Sequence, residues 1–359
     1  MKVLRKKKRT FCLKPGKRIK IMRKSLNKLI YWGNLLAAFL LLISFVLPYL
    51  PPKSFPTLSL LSLVVSLLII VNILFAIYWA IQLRRRFFIS FTVLFISYFY
   101  FNVFYEMSSE GDVSQYKNTL NVLSYNVRLF NAYEKDSKID ASQIISEILT
   151  EENPDVVFVQ EYYKPNKVDF SAYPYQYIHF SSEKAKLGHA FFSKYPLINT
   201  GGFDFKDTYN NTLYADVVKG NDTLRIYSVH LQSLGIIPRV SFLQESDNEK
   251  LRKRVSGAFE KQQNQVEAIL EHKQKTKYPV IICGDFNNTP FSYSYRKLKD
   301  GMQDAFRERG NGLGTTFKFE KFPMRIDYIF ASEGLDIISF DTMKKTFSDH
   351  YAVRATVGW

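Results

Sequence analysis

The chain has 359 residues, of which 47% are hydrophobic and 23% charged, and this balance excludes an intrinsically disordered or collagen-like protein. Its formal net charge of +16 is unevenly distributed. Residues 1–105 hold 17 Lys and Arg and no acidic residue, whereas residues 106–359 hold 32 basic and 33 acidic residues. The overall basicity therefore gives no evidence that the C-terminal two-thirds of the chain binds nucleic acid.

A basic tail, residues 1–28 with 13 Lys and Arg, precedes three long apolar runs near residues 29–50, 58–83 and 87–105. Each run approaches or exceeds the roughly 20 residues that a helix needs to cross a bilayer. We predict three transmembrane helices over residues 29–105 that anchor the protein in a lipid bilayer. A position along the membrane surface is the alternative for the third run, which is rich in aromatic residues. A cleaved signal peptide is the alternative for the first, although two further runs follow it.

The distribution of positive charge predicts the orientation of these helices. The tail is strongly basic, the connection between the first two runs contains only Lys53, and Arg84–Arg86 follow the second run. Because basic loops remain in the cytoplasm, we expect the N-terminus and Arg84–Arg86 on that side. Three crossings then place everything after residue 106 on the extracytoplasmic side of the inner or plasma membrane.

Residues 106–118 are polar and are predicted to form a linker to a domain over residues 119–359. In this domain, short β-rich runs alternate with helical patches. Strands are predicted at Thr119–Val127, Asp155–Gln160, His189–Ser193, Leu213–Val218, Leu224–Leu231, Val280–Cys283, Ile326–Ala331 and Tyr351–Val357, and helices at Asp140–Glu151 and Leu251–His272. Several strands are apolar on both faces, so we expect an α/β domain whose sheets are covered on both sides.

Polar side chains recur at the ends of these strands. The set consists of Asn126, Glu161, His230, Asp285, Asn287, Asp327, Asp349 and His350. Each alone has an ordinary structural explanation, such as a turn at residues 284–287 or a helix cap at residues 348–350. Buried carboxylates are costly unless they are paired or bind a metal. The joint occurrence of four carboxylates, two Asn and two His therefore indicates a shared site.

The segments that contain these residues are similar to those of a known superfamily. SYN (124–126), QE (160–161), SVHL (228–231), GDFN (284–287), RIDYIF (325–330) and SDH (348–350) resemble the endonuclease/exonuclease/phosphatase superfamily, as does GHAFFSKYP (188–196). The resemblance covers about residues 119–359, and the preceding runs suggest a membrane-anchored bacterial type. It implies a four-layered α/β sandwich, in which two packed sheets are flanked by helices, and metal-dependent hydrolysis of a phosphoester.

The resemblance also implies a set of site residues. Implied metal ligands are Asn126, Glu161 and Asp349. Implied catalytic residues are His230, Asp285, Asn287, Asp327 and His350. Carboxylate and amide oxygens suit Mg²⁺, with Mn²⁺ or Ca²⁺ as alternatives. Zinc is not expected, because it would require a cluster of His and Cys.

Each implied catalytic residue has an expected role. Asp285 orients or deprotonates the attacking water, and Asn287 fixes that water. His350 contacts the phosphate and is held by Asp327. His230 donates to a phosphoryl oxygen or protonates the leaving group.

The favoured function is a phosphodiesterase that acts on nucleic acid or, in the manner of a phospholipase or sphingomyelinase, on a phospholipid headgroup. The alternatives are a phosphomonoesterase on a soluble phosphate ester and a non-catalytic binding module on the same fold. No protein partner is predicted. Residues 231–260 are expected to form a substrate lid, to touch the bilayer or simply to pack on the domain. His189 is a weaker pocket candidate, and His179 and His272 are expected to be structural.

Overall fold

The computed structural model describes residues 15–101, 105–134, 140–320 and 322–359. The first half of the predicted basic tail lies outside the described residues. The chain divides into two compact units, of which the larger contains residues 44–67 and 97–359. Ser44–Leu67 therefore belongs to the same unit as the C-terminal domain, although in sequence it links two apolar runs.

Four helices form the N-terminal part of the chain: α1 (Pro15–Ser44), α2 (Pro56–Ser59), α3 (Val65–Ile81) and α4 (Phe87–Phe101), with a 3-10 segment, Leu60–Val64, between α2 and α3. By length and composition, two stretches can cross a membrane, Met22–Tyr49 with 28 residues and Pro56–Ile81 with 26. Helix α4 has 15 residues. At about 1.5 Å per residue it extends roughly 22 Å, less than the ~30 Å hydrocarbon layer. The described residues thus provide two helices of spanning length, where the sequence predicts three.

Buried polar side chains connect the helices of the smaller unit, whose described residues are 15–43 and 68–96. Asn34 Nδ2 donates to Ser90 Oγ at 2.5 Å, and Trp79 Nε1 donates to Asn34 Oδ1 at 3.0 Å. Ser90 Oγ in turn donates to Asn72 Oδ1 at 3.0 Å. Large apolar side chains are exposed on the outside, among them Leu29, Trp32, Leu36 and Phe39. This combination is typical of helices that pack together in lipid.

The strands of the larger unit are, in chain order, β1 (Glu106–Met107), β2 (Thr119–Asn126), β3 (Val156–Tyr163), β4 (Tyr175–Phe180), β5 (Leu187–Ser193), β6 (Leu197–Asp204), β7 (Asn211–Lys219), β8 (Asp222–His230), β9 (Val280–Asp285), β10 (Met302–Asp304), β11 (Asn311–Gly312), β12 (Phe317–Phe319), β13 (Phe322–Met324), β14 (Asp327–Ser332), β15 (Asp336–Thr342) and β16 (Val353–Gly358). Its remaining helices are α5 (Ala141–Glu152), α6 (Val240–Glu245), α7 (Asn248–Lys273), α8 (Tyr293–Lys299) and α9 (Ala305–Arg309).

Twelve of these strands form two six-stranded mixed sheets. The strand order is β15-β16-β2-β3-β5-β4 in the first sheet and β10-β14-β9-β8-β7-β6 in the second. The pairs β2–β3 and β8–β9 are parallel, and the other pairs are antiparallel. The inner faces share one hydrophobic core, to which Phe158 and Phe191 contribute from the first sheet and Ile226, Ile281 and Ile329 from the second.

Helices cover the outer faces of both sheets. Ile145 and Ile148 of α5 pack in one core cluster with Val157 of β3. On the other side, His272 of α7 contacts the rings of Tyr214 and Tyr227. The helix–sheet–sheet–helix order confirms the predicted α/β sandwich.

The strands and helices predicted for residues 119–359 are all present, and their ends differ from the predictions by at most three residues. Strands β4, β6 and β15 are not predicted from the sequence, nor are several strands of two or three residues. Residues 106–118, predicted as a linker, contain β1, which pairs with β11. Gly111 N also donates to Ile338 O at 2.7 Å, so this segment is held to the larger unit.

Candidate active site

The strand arrangement brings four predicted site residues together at the same end of the two sheets, where central strands begin or end. Asn126, His230 and Asp285 are the last residues of β2, β8 and β9. His230 pairs with Asp285 across β8 and β9, and Asp285 pairs with Asp327, the first residue of antiparallel β14. The carboxyl ends of the parallel strands thus meet the amino end of β14.

Asp285 lies at the centre of this group and is 1% exposed. It accepts hydrogen bonds from Asn126 Nδ2 at 3.1 Å, from the backbone N of Asn287 at 2.7 Å and from Asn287 Nδ2 at 3.1 Å. The preceding residue must be glycine, because Gly284 has φ +126° and a Cβ there would lie 2.0 Å from the carbonyl oxygen of Val229. The backbone therefore fixes the direction of the Asp285 carboxylate.

His350 and Asp327 form a buried ion pair beside Asp285. His350 Nδ1 lies 3.0 and 3.1 Å from the two carboxylate oxygens of Asp327, and His350 Nε2 lies 3.7 Å from Asp285 Oδ2. Burial lowers the pKa of His350, but Asp327 and Asp285 outweigh it and raise the pKa to about 10. Burial, with repulsion from Asp327, raises the pKa of Asp285 to about 7. His350 is therefore a cation at neutral pH.

His230 is in the opposite protonation state. Burial, together with the charges of His189 and His350, holds the pKa of His230 well below its usual value. Asn210 Nδ2 donates to His230 Nε2 at 2.8 Å. Since Asn210 Oδ1 accepts from the backbone N of Ser233 at 3.2 Å, the orientation of the amide is fixed. Nε2 of His230 is thus an unprotonated acceptor, 3.7 Å from Asp285 Oδ2.

Glu161 lies in an irregular stretch of β3 and has a left-handed backbone, with φ +55°. Asn126 Nδ2 lies 3.4 Å from Glu161 Oε1, and Nε2 of the neutral His230 lies 4.0 Å from the same oxygen. Burial raises the pKa of Glu161, while the positive charge of His350 opposes this shift. Among the described residues, no Lys or Arg pairs with this carboxylate.

A cavity of about 820 Å³ opens at this edge of the sheets. Its lining contains six of the eight predicted site residues, namely Asn126, Glu161, Asp285, Asn287, Asp349 and His350. Asp327 and His230 do not line the cavity. Asp327 lies behind His350, and His230 lies behind Asp285. The structure therefore brings all eight predicted residues together, six at the surface of the cavity and two behind it.

The chemistry of the cavity fits a divalent cation. Asp285, Asp327 and His350 offer ligand atoms within 4.8 Å of one another. Asp327 already holds His350 Nδ1, so Asp285 is the member of this trio with a carboxylate oxygen on the cavity. Among the described residues no Lys or Arg pairs with Glu161. Asn126 directs Nδ2 at both carboxylates, and its Oδ1, the atom able to bind a cation, accepts from the backbone N of Arg128 at 3.0 Å. Negative charge exceeds positive charge here, which favours a metal with oxygen ligands.

Asp349, the third predicted ligand, lies farther from this group. Its side chain is 22% exposed, accepts from Ser348 Oγ at 3.2 Å and lies 3.6 Å from Arg128 Nε. Arg128 also pairs with Glu134 at 2.6 Å, and it begins a run of four residues with positive φ, Arg128–Asn131. Such strain persists where the surrounding structure determines it and is frequent at functional sites.

Sequence reasoning missed two residues of the site, Arg128 and Asn210. Arg128 directly follows the SYNV segment, and its place after a site strand was the available signal. Asn210 precedes β7 in a Tyr-Asn-Asn segment that is indistinguishable from a turn.

The remaining predicted histidines are structural. His189 is buried between the sheets, with Nδ1 2.9 Å from Asn211 Oδ1 and Nε2 2.6 Å from Ser228 Oγ, and it does not line the cavity. His179 Nε2 pairs with Asp204 at 2.8 Å, and His272 Nδ1 bonds to the Tyr227 hydroxyl at 2.8 Å.

Solved structures with the same fold come from bacteria and animals. An endonuclease/exonuclease/phosphatase from Beutenbergia cavernae is 18% identical, with a TM-score of 0.51 over 67% of this chain and 72% of that chain. Truncated TDP2 from Caenorhabditis elegans is 19% identical, with a TM-score of 0.50 over 69% and 100%. A family protein from Bacteroides vulgatus is 16% identical, with a TM-score of 0.50 over 67% and 99%. At these identities the likeness shows the fold.

Family models account for both parts of the sequence. Residues 27–104 match a domain of unknown function. No curated protein matches the chain in sequence. Residues 123–350 match the model of the endonuclease/exonuclease/phosphatase family, and this range contains every predicted site residue. The chain therefore belongs to the endonuclease/exonuclease/phosphatase family and is a phosphoester hydrolase of the metal-dependent type.

Proposed function

We propose that the protein is a membrane-anchored, Mg²⁺-dependent phosphodiesterase whose catalytic domain, residues 119–359, faces the extracytoplasmic side. The observation that carries the proposal is the pairing of a cationic His350 with a neutral His230 on either side of Asp285. One cation can bind a phosphoryl oxygen while one carboxylate with a pKa of about 7 accepts a proton near neutral pH.

Asn126, Glu161 and Asp349 are the residues proposed to hold the metal, and Asp285 lies beside Asn126. A bound Mg²⁺ supplies positive charge that offsets the charge developing on the phosphate and the departing oxygen. Glu161 suits this role best, because its carboxylate faces the cavity without a Lys or Arg partner among the described residues.

The side chains of Asp285, Asn287, His350 and Asp327 carry out the remaining steps of the proposed reaction. Asp285 accepts a proton from water, whose oxygen bonds to phosphorus, and Asn287 fixes that carboxylate through two hydrogen bonds. His350 donates from Nε2 to a phosphoryl oxygen while Asp327 holds its Nδ1. One phosphorus–oxygen ester bond breaks, and the departing oxygen takes a proton from solvent. A diester and water thus give a monoester and an alcohol.

We assign His230 a role that differs from the leaving-group acid suggested by the family resemblance. Its Nε2 accepts from Asn210 and has no proton to give. Its position 3.7 Å from Asp285 instead supports a positioning role for that carboxylate.

The activity can be tested with purified full-length protein in detergent. The substrates are bis-p-nitrophenyl phosphate, a diester, and p-nitrophenyl phosphate, a monoester, with Mg²⁺ or with EDTA. We expect diester hydrolysis that EDTA abolishes and that Asp285→Asn and His350→Gln each reduce by about 10²–10⁴-fold, the usual contribution of a proton-transfer group.

His179→Gln is the matched control, because this histidine also pairs with a carboxylate but does not line the cavity. It should retain full activity. Preference for the monoester would favour a phosphomonoesterase, and full activity of Asp285→Asn would contradict the assigned site.

Contacts within the larger unit support the proposed orientation. Lys53 N donates to Gln263 Oε1 at 3.0 Å, so the connection between the two spanning stretches contacts the catalytic domain. If both stretches cross the membrane, this connection lies opposite the N-terminus, and the catalytic domain lies with it. The end of α4 also contacts this domain, since Phe101 packs against Phe291 at 4.7 Å. On this reasoning α4 brings the chain back to the side of the catalytic domain, although its 15 residues are fewer than a full span needs.

Thiol labelling of intact cells tests the orientation. With a membrane-impermeant maleimide, a Ser182→Cys substitution in a Cys12→Ser background should be labelled, since Ser182 is exposed. The natural Cys12 in the basic tail should be labelled only after permeabilisation. If Cys12 but not Ser182→Cys is labelled in intact cells, the orientation is the reverse of the one proposed. If neither is labelled, both lie on the cytoplasmic side and the chain crosses the membrane twice.

A further inference from the structure

The cavity at the active site is mostly apolar away from its acid and histidine groups. One side consists of residues from the start of the second apolar run, here called the N-terminal wall: Leu60, Leu61, Leu63, Val64, Ser66 and Leu67. The lining also includes Ile236 and Leu243, which follow β8, and Phe319 and Phe322 of the β12–β13 hairpin. A cavity of this size with a few convergent polar groups is typical of small-molecule sites.

Polar contacts hold the N-terminal wall in place. Ser62, which is 2% exposed, accepts at its carbonyl oxygen from Thr289 Oγ1 at 2.8 Å. Lys53 Nζ pairs with Glu267 at 2.7 Å. Arg252 Nη1 donates to Thr57 Oγ1 at 2.8 Å. The contacts on both sides of Leu60 make the wall part of the larger unit.

The N-terminal wall also shares a hydrophobic cluster with the catalytic domain. Leu60 and Leu63 pack against a buried cluster that includes Leu234, Val255 and Phe259. At the same time, Val64 and Leu67 remain 41% and 38% exposed. The wall thus has one face in the core and another toward the cavity and solvent.

The N-terminal wall is continuous with a helix of membrane-spanning length. All its residues belong to Pro56–Ile81, whose 26 residues are apolar enough to cross a bilayer. They also lie outside the catalytic family match, which begins at residue 123. The wall is therefore supplied by the membrane part of the chain to the active site.

The charge of the cavity does not favour nucleic acid. Among the described residues that line it, Arg128 is the only Lys or Arg. Proteins that bind a nucleic acid backbone neutralise several phosphates with basic side chains. One phosphate beside an extended apolar group matches the lining better.

We infer that the substrate is an amphiphilic phosphodiester of the membrane, whose phosphate binds at the acid and histidine groups and whose hydrocarbon chain lies along the N-terminal wall. This inference rests on the proposed phosphodiesterase function and identifies its substrate class. Water bonds to phosphorus, one phosphorus–oxygen ester bond breaks, and the departing oxygen takes up a proton, as in the general reaction above.

A series of p-nitrophenyl alkyl phosphodiesters, from methyl to octyl, tests this with full-length protein in detergent and Mg²⁺. Each methylene group that enters the cavity should lower KM by up to about four-fold, which corresponds to about 0.8 kcal/mol. Leu63→Gln should reduce this dependence on chain length, because it places an amide on the apolar side of the cavity.

Leu58→Gln is the matched control, since Leu58 lies in the same segment but does not line the cavity. It should keep the chain-length dependence of the parent. Retained resistance of buried Cys283 to a thiol reagent shows that each variant is folded. If Leu63→Gln does not fold, inhibition of the parent by non-hydrolysable alkyl phosphonates replaces it, and the inhibition constant must fall with chain length.

The outcomes separate the two proposals. Absence of hydrolysis with every diester would defeat the phosphodiesterase function. Hydrolysis with a KM independent of chain length would overturn the amphiphile inference and leave that function standing. Phospholipid vesicles of phosphatidylethanolamine and phosphatidylglycerol form the second arm. Release of phosphate-containing headgroup or of diacylglycerol supports a membrane lipid, whereas faster cleavage of DNA or RNA oligonucleotides contradicts it.

Discussion

Asp304 and Arg325 form a buried ion pair whose two halves should differ in their contribution to stability. Both side chains are at most 3% exposed, and Arg325 Nη1 donates to the two carboxylate oxygens at 3.0 and 2.8 Å. Asp304 also accepts from the Tyr295 hydroxyl at 2.6 Å. Among the described residues, Nε and Nη2 of Arg325 have no hydrogen-bond partner. Asp304 is therefore the counter-charge of a guanidinium that otherwise contacts the rings of Phe306 and Tyr328.

Removing either partner leaves a buried charge, but only one of these charges can be neutralised. A carboxylate can bind a proton, whereas a guanidinium in a protein does not lose one. We therefore expect Asp304→Asn to reduce the free energy of unfolding by about 4 kcal/mol, within the range for a broken buried pair. Arg325→Met should cost less. The double variant should be more stable than Asp304→Asn alone by about 1 kcal/mol or more.

Thermal unfolding in detergent provides the measurement, with Cys283 as an internal reporter. Its thiol is fully buried in β9 and becomes reactive when the larger unit unfolds. A Cys12→Ser background removes the other thiol. At roughly 2–4 °C per kcal/mol for a domain of this size, Asp304→Asn should lower Tm by about 8–16 °C.

The order of the three variants is the decisive result. Arg325→Met less stable than Asp304→Asn, or a double variant less stable than both single variants, would refute the reasoning from an uncompensated guanidinium. Equal, small shifts would show that the pair contributes little.

Three further predictions concern pH and the backbone. The proposed mechanism uses an ionised Asp285, whose pKa burial raises to about 7, and a protonated His350, whose pKa is about 10. The rate should therefore rise through pH 7 and fall near pH 10, and a flat profile between pH 5 and 7 would contradict this. Burial lowers the pKa of His189 to about 4 in the folded protein. The neutral histidine therefore contributes its full share to the free energy of unfolding above pH 6.5. This stabilisation is lost between pH 6.5 and pH 4, because the histidine of the unfolded chain binds a proton first. The loss amounts to about 3 kcal/mol, and His189→Gln should show a smaller fall in Tm between pH 7 and 4.5 than the parent. Gly284→Ala should lower both Tm and activity, because its Cβ would meet the carbonyl oxygen of Val229 at 2.0 Å, while Gly220→Ala, where nothing lies within 4 Å, should lower Tm less.

The central strands of both sheets could be predicted from the sequence because they are buried on both faces and form continuous apolar runs. The strands that were missed, β4, β6 and β15, are the outermost strands of their sheets. In β6 exposed positions dominate, and Gly201 and Gly202 interrupt the strand. An edge strand of this kind is determined by its neighbour, and a local pattern does not contain that information.

Several site residues could be predicted because they lie at the ends of buried strands. Asn126, Asp285 and His230 end buried strands, so position in the pattern predicts position in space. The N-terminal wall could not be predicted, since Leu60 and Leu63 have the composition of any apolar helix. Their contact with Val255 joins residues nearly 200 positions apart, and only the folded chain shows it.

Leu60 and Leu63 share a hydrophobic cluster with Val255 and Phe259, and this cluster limits how the two parts of the chain can be recombined with parts of other proteins. A chimera that joined residues 106–359 to helices from another protein would lack both leucines, and it would expose the apolar surface that they cover beside the catalytic groups. The N-terminal helices and the catalytic domain are therefore not interchangeable modules, and replacing either one would require compensating substitutions in the other.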